Sequence, residues 1–222
     1  AFSGTYFAIT KLSGFPTDRS TNWFMPLGIC FGAAFSGIGL GFATIRDIET
    51  GFYDRLRMSP VSRRALIVGP LFTAWTRVGM LCAFVIPVGL LLGARFTSGP
   101  LGVLALVVAA LGVSTVSVGW GLGLAFRFGD MRAAAIMQLT MFVVMYLSTA
   151  QMPLPLLQGW LHAVARFNPM TNILRLARQG LVSQSNVDYL SWANTWGGLI
   201  AIVAMSALTL TFARRGLNKL DR

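Results

Sequence analysis

The feature that most constrains this chain is its succession of apolar runs, several longer than the ~18 residues that separate a membrane span from a buried core helix. They cover about Trp23 to Ile45, Ala65 to Gly93, Leu101 to Phe126, Ala133 to Ala150 and Ala193 to Ala213. Lipid offers no partner to a backbone N–H or C=O, so such runs fold as helices that satisfy themselves. Only 11% of the residues are charged and 55% are hydrophobic, too little polar surface for a water-soluble domain of this length. The predicted fold class is therefore all-α, a polytopic transmembrane helix bundle. The second run carries Pro70 and Pro87 and is predicted to be tilted or kinked.

The net charge of +11 does not indicate nucleic acid. No basic patch is interleaved with aromatic residues, and the cations sit in short segments between apolar runs. Numbered alternately, one set of segments holds Arg46, Arg55, Arg57, Arg63, Arg64, Arg127, Arg132, Arg214, Arg215, Lys219 and Arg222. The other holds Lys11, Arg19, Arg95, Arg166, Arg175 and Arg178 over about twice the length. The dense set is predicted to be cytoplasmic, with the C-terminus inside and Ala1 outside. One further upstream span would give a parent of six spans with both ends inside.

Several chemistries are excluded. The only lysines, Lys11 and Lys219, do not follow a glycine, so the chain has no phosphate loop of its own. His162 is the lone histidine, which leaves no basis for a metal site or His relay. All seven acidic residues (Asp18, Asp47, Glu49, Asp54, Asp130, Asp188 and Asp221) fall in loops, termini or span ends, which counts against a proton-coupled carrier. Cys30 and Cys82 lie inside apolar runs without metal or redox spacing.

Residues 46–64 read RDIETGFYDRLRMSPVSRR. Ile48, Phe52 and Leu56 recur every fourth residue and predict an amphipathic helix stopped by Pro60. Such a helix either rests on lipid headgroups or is gripped by a soluble partner. Between the fourth and fifth runs, Pro153, Pro155 and Pro169 divide a segment too apolar for an open loop into pieces too short to span. It either packs at membrane depth or rests on the outer leaflet. Arg77, the one charge well inside a run, either meets an anion or snorkels back to the interface. Gln138, Met141, Phe142 and Met145, with Phe35 on the first run, are the candidate substrate-lining set, because methionine and aromatic surfaces adapt to varied apolar ligands. The pairs Gly28/Gly32, Gly37/Gly41 and Gly119/Gly123 predict close helix approach.

The ordered set Arg46-Asp47-Ile48-Glu49-Thr50-Gly51, Asp54-Arg55-Leu56 and Ser59-Pro60-Val61-Ser62-Arg63 resembles the first cytoplasmic loop of ABC-2 type transporter permeases, especially the daunorubicin-resistance subgroup. Leu147-Ser148, Pro153, Pro155, Trp160-Leu161 and Asn168-Pro169-Met170-Thr171 resemble that family's segment before its last span. The resemblance implies a type V exporter-like ABC-2 fold over residues 1–222, with five spans of six present and the first span and its preceding amphipathic helix missing. It implies that residues 46–64 are a coupling helix, with Arg46, Glu49, Gly51, Phe52, Arg55, Leu56, Pro60 and Arg63 facing an ATPase. It also implies that residues 151–192 re-enter the membrane from outside, with Pro153, Pro155, Trp160, Asn168 and Pro169 at an outer gate. The expected protein is a non-catalytic permease subunit of a multidrug or lipid exporter in a bacterial plasma membrane. Its expected partners are a separate ATPase, which holds the ATP and magnesium, and a second copy or a homologous permease. The rival reading is a secondary, ion-coupled multidrug transporter, which predicts an internal repeat that the sequence does not display.

Overall fold

The computed structural model describes residue 17 and residues 20–57, 64–182 and 192–220, with residues 54, 56, 57 and 220 as backbone alone. The described residues form α1 (Ser20–Glu49), α2 (Phe52–Arg57), α3 (Ala65–Leu91), α4 (Pro100–Phe128), α5 (Arg132–Tyr146), a 3-10 turn (Leu154–Leu156), α6 (Gly159–Phe167), α7 (Pro169–Arg178) and α8 (Trp192–Leu220). Among them, α1, α3, α4 and α8 are long and apolar enough to cross a bilayer. The all-helical expectation holds, but the predicted fourth span is shorter than its apolar run. The helix ends at Tyr146, not Ala150, and its 15 residues measure ~22 Å at 1.5 Å each.

The centre of the bundle is α1 and α4. In their apolar windows 56% and 61% of residues are buried, against 22% in each of α3 and α8. The two inner helices touch through backbone: a Cβ on Gly41 would lie 2.9 Å from Gly121 Cα, and one on Gly37 would lie 2.8 Å from Val118 N. The opposite side of α4 receives α8 in the same way, since a Cβ on Gly119 would lie 2.8 Å from the Thr209 carbonyl carbon. Two of the three predicted glycine pairs thus mark backbone contacts. The third does not, because Gly28 meets nothing within 4 Å and Gly32 meets only the Leu81 side chain.

The outer helices turn large apolar residues away from the bundle. Phe72, Met80 and Phe84 on α3, and Trp196, Ile200 and Val203 on α8, are all more than half exposed. In lipid such faces carry no penalty, whereas in water they would form a patch of association-prone surface. Arg77 lies exposed on this side of α3 as the thirteenth of its 27 residues, about three turns from the helix start.

Helix ends follow local chemistry. Pro100 opens α4 at a position whose N–H has no intrahelical partner in any case, and Gly129 closes it in the left-handed region (φ +67°). Gly41→Ala should cost about 1–3 kcal/mol by forcing α1 off α4, whereas Gly28→Ala should cost nothing measurable. Reversible unfolding in mixed micelles checks both. Equal stability of the two variants would contradict the backbone contact.

Candidate functional site: an elbow, an aromatic crevice and a proline-broken cap

At the end of the bundle that carries the basic segments, the chain leaves α1 through a tight turn. Gly51 takes a left-handed conformation (φ +69°), while the N–H groups of Thr50 and Gly51 bond the carbonyls of Arg46 and Ile48. This break corrects the predicted single helical stripe of Ile48, Phe52 and Leu56. Arg46 and Glu49 belong to the last turn of α1, and α2 starts afresh at Phe52 with a new register. Phe52, which the unbroken periodicity assigned to the apolar side, is 47% exposed, and Tyr53 is the buried anchor at 8%. Its ring packs edge-on against Phe126 at the end of α4, 5.6 Å between centroids. Leu40, Ile67, Leu122 and Leu217 complete the same cluster, with Ile48 packed on it. Burial, with Asp47 adding to it, pushes the Tyr53 hydroxyl above its usual range, so it stays neutral.

Arg46, Glu49, Phe52 and Arg55 are therefore all exposed on the elbow, and Gly51 is its pivot. The side chain of Leu56 and the whole of Pro60 and Arg63 lie outside the described residues. Among the described side chains the elbow exposes Arg46, Arg55, Glu49 and the Phe52 ring, while the buried Tyr53 fixes it to helices α1, α3, α4 and α8.

A shallow apolar crevice runs between α1 and α5, lined by Phe31, Ala34, Phe35 and Ile38 from one helix and Met141, Phe142 and Met145 from the other. Four of the five predicted lining residues meet here. The exception is Gln138, which is exposed but does not line the crevice. Sequence reading also missed Phe31 and Tyr146. Phe31 contacts Tyr146 edge-on at 5.9 Å, Phe35 contacts Phe142 edge-on at 5.5 Å, and Phe142 stacks on Tyr146 at 6.0 Å. The signal for Tyr146 was its position one turn past Phe142.

At the opposite end from the elbow, the segment after α5 is held by an exchange that the prolines require. In an α-helix the N–H of residue i bonds the carbonyl of residue i−4. Pro153 and Pro155 have no N–H, so the carbonyls of Thr149 and Gln151 lose their helical donors. Side chains replace both: Arg178 Nη1 donates to Thr149 O at 2.6 Å, and Trp23 Nε1 donates to Gln151 O at 3.2 Å. Pro169 likewise orphans the carbonyl of Ala165, which accepts from Thr171 Oγ1 at 2.6 Å. α5 itself ends earlier, where Ser148 N bonds the carbonyl of Met145 instead of that of Val144.

Asn168 caps α7 by accepting from Met170 N at 2.9 Å, and its Nδ2 donates to Val144 O in the last turn of α5 at 2.7 Å. Of the predicted gate residues, Asn168 and the prolines shape this cap, whereas Trp160 is 71% exposed. Arg178 was counted in the sequence only as a loop charge. Besides its bond to Thr149 it donates to Ala150 O at 2.7 Å and to Trp23 O at 3.2 Å, and it lies 3.7 Å from the Trp23 ring centroid. Asn22 adds a bond to Leu181 O at 2.8 Å, so the start of α1 is sewn to the end of α7.

Comparison with known proteins places this architecture. The model of the ABC-2 family transporter proteins matches residues 8–215, nearly the whole chain. A protein named as a transport permease, ycf38, from Pyropia yezoensis is 26% identical over 91% of this chain and 72% of its own length. Its namesake from Porphyra purpurea is 28% identical over 76% of this chain. The daunorubicin resistance ABC transporter permease protein DrrB1 of Streptomyces coeruleorubidus is 24% identical over 73% of it. The chain spans 58% of the length of each of these last two relatives. A broken elbow, a crevice between two helices and a cap of short helices thus occur in a chain whose relatives are named as permeases. The chain belongs to the ABC-2 family of transporter proteins, membrane subunits that are not themselves catalytic.

Proposed function

We propose that this chain is the permease part of an ATP-driven exporter of apolar drugs or lipid-like molecules in a bacterial plasma membrane. In this reading the basic end and the C-terminus face the cytoplasm, α5 is the fourth of five spans, and residues 151–192 re-enter from outside. ABC-2 permeases work with an ABC ATPase partner. ATP and magnesium would sit on that separate subunit, and the elbow at residues 46–64 would dock on it. The crevice between α1 and α5 would form half of the pathway, completed by a second copy or a homologous permease.

The observation that carries this reading is the division of labour at the elbow. Phe52 and its charged neighbours are exposed, while the adjacent Tyr53 is locked into the cluster that joins α1, α3, α4 and α8. A partner that pushes on the exposed ring moves the buried anchor, and the anchor bears on α1, one wall of the crevice. Drug export rests further on the crevice walls, which offer aromatic faces and methionine thioethers without any charge.

Two outcomes follow. Phe52→Ala should weaken retention of the co-expressed ATPase subunit roughly 10-fold, as for removal of a central aromatic anchor, while leaving thermal unfolding unchanged. Tyr53→Leu should retain the ATPase but lower the amount of substrate exported per ATP hydrolysed in proteoliposomes. Unaltered retention and coupling in both variants would contradict the docking role. Separately, Phe35→Ala combined with Phe142→Ala should raise the KM for an apolar dye about 10-fold, given ~0.5–1.5 kcal/mol for each lost aromatic contact. An unchanged KM would remove the crevice from the pathway.

A further inference from the structure

A buried guanidinium without a carboxylate is a costly feature. Arg178 is 5% exposed, and no described acidic side chain pairs with it. What compensates the charge is three backbone carbonyls and the face of Trp23. These acceptors do not belong to its own helix. Trp23 lies in the first turn of α1, and Thr149 and Ala150 lie just beyond α5. α1 and α5 are the two walls of the aromatic crevice. One planar fork on α7 thus bridges both walls at the end of the crevice opposite the elbow.

The carbonyls make this bridge hard to dispense with. Thr149 O lost its helical donor to Pro153, so without Arg178 it stays unsatisfied unless water reaches it. An unsatisfied polar group in an apolar surrounding costs several kcal/mol in the most demanding reference states. Separating α1 from α5 at this end therefore requires either a bare carbonyl or an entering water. The arrangement has two consistent states: dry with the guanidinium in place, or wet with it withdrawn. Lysine cannot reproduce the dry state, because one ammonium lacks the fixed fork that meets three carbonyls on two separate segments, the start of α1 and the turn after α5.

We propose that Arg178 is the positioning residue of the outer mouth: its guanidinium holds the far ends of α1 and α5 together, and its withdrawal admits water into the crevice between them. The proposal rests on the reading of that end as the extracellular one. It adds to that reading a residue outside the predicted gate set and a condition for opening.

The test uses the full-length permease in nanodiscs, without ATPase or substrate, in a background where Cys30→Ala and Cys82→Ala leave Met145→Cys as the only thiol in this region. A membrane-impermeant maleimide should react slowly with this reporter when Arg178 is intact. With Arg178→Gln the rate should rise at least 10-fold, with Arg178→Lys intermediate, while helical content by circular dichroism stays the same. In sealed proteoliposomes the faster labelling should come from the extracellular side. If Arg178→Gln fails to fold, Trp23→Phe, which removes the Nε1 bond to Gln151 and keeps an aromatic face, should give a smaller increase on the same side. Equal labelling rates in the folded variants, or acceleration from the cytoplasmic side alone, would overturn the proposal. Neither readout depends on ATP or on an exported compound, so the export reading stands or falls on its own tests.

Discussion

The constraint on which the structure depends is that a backbone carbonyl buried among apolar groups must find a donor. Most of the chain meets it by being helical. Where prolines withdraw the N–H groups, at 153, 155 and 169, the donors come from Arg178, Trp23 and Thr171. These substitutions are what permit short, broken helices at the end of the bundle. They also decide its topology, because all three donors reside on elements other than the one that lost its bond. The cap is consequently a set of cross-links among α1, α5 and α7, and its integrity is shared by all three.

The other end follows a different rule. There the backbone break at Gly51 lets α2 start in a new register, which exchanges the faces of Phe52 and Tyr53. Between the two ends, α1 and α4 touch backbone to backbone at glycines, a contact that leaves little room for one to shift against the other. Motion at the elbow, in the proposed reading, is therefore not absorbed inside the bundle. It reaches the crevice wall through α1, whose last turn carries Arg46 and Glu49 and whose middle carries Phe31 and Phe35.

Much of this was legible in the sequence, and the failures have identifiable causes. Apolar run length predicted the long helices, since nothing in a span competes with intrahelical bonding. The glycine pairs on α1 and α4 announced real contacts, but Gly28/Gly32 did not, because spacing alone does not say which side of a helix meets a neighbour. The three prolines located the broken segment, yet not its donors: Arg178 and Trp23 are far from the carbonyls they serve in sequence and converge only in the fold. The elbow was misread for a related reason. Period-four spacing through Ile48, Phe52 and Leu56 presumes an unbroken helix, and a left-handed glycine between them cancels that presumption. The crevice fared better because Met141, Phe142 and Met145 lie on one helical face, although that same spacing also drew in Gln138, which does not line the crevice.

The central claim is that the elbow after α1 is where this membrane subunit receives energy. Hydrogen–deuterium exchange of the reconstituted permease, with and without its ATPase subunit, tests this most directly. The account predicts slowed exchange confined to residues 46–57 and the neighbouring basic end when the ATPase is present. Slowed exchange at the proline-broken cap, with the elbow unchanged, would contradict it.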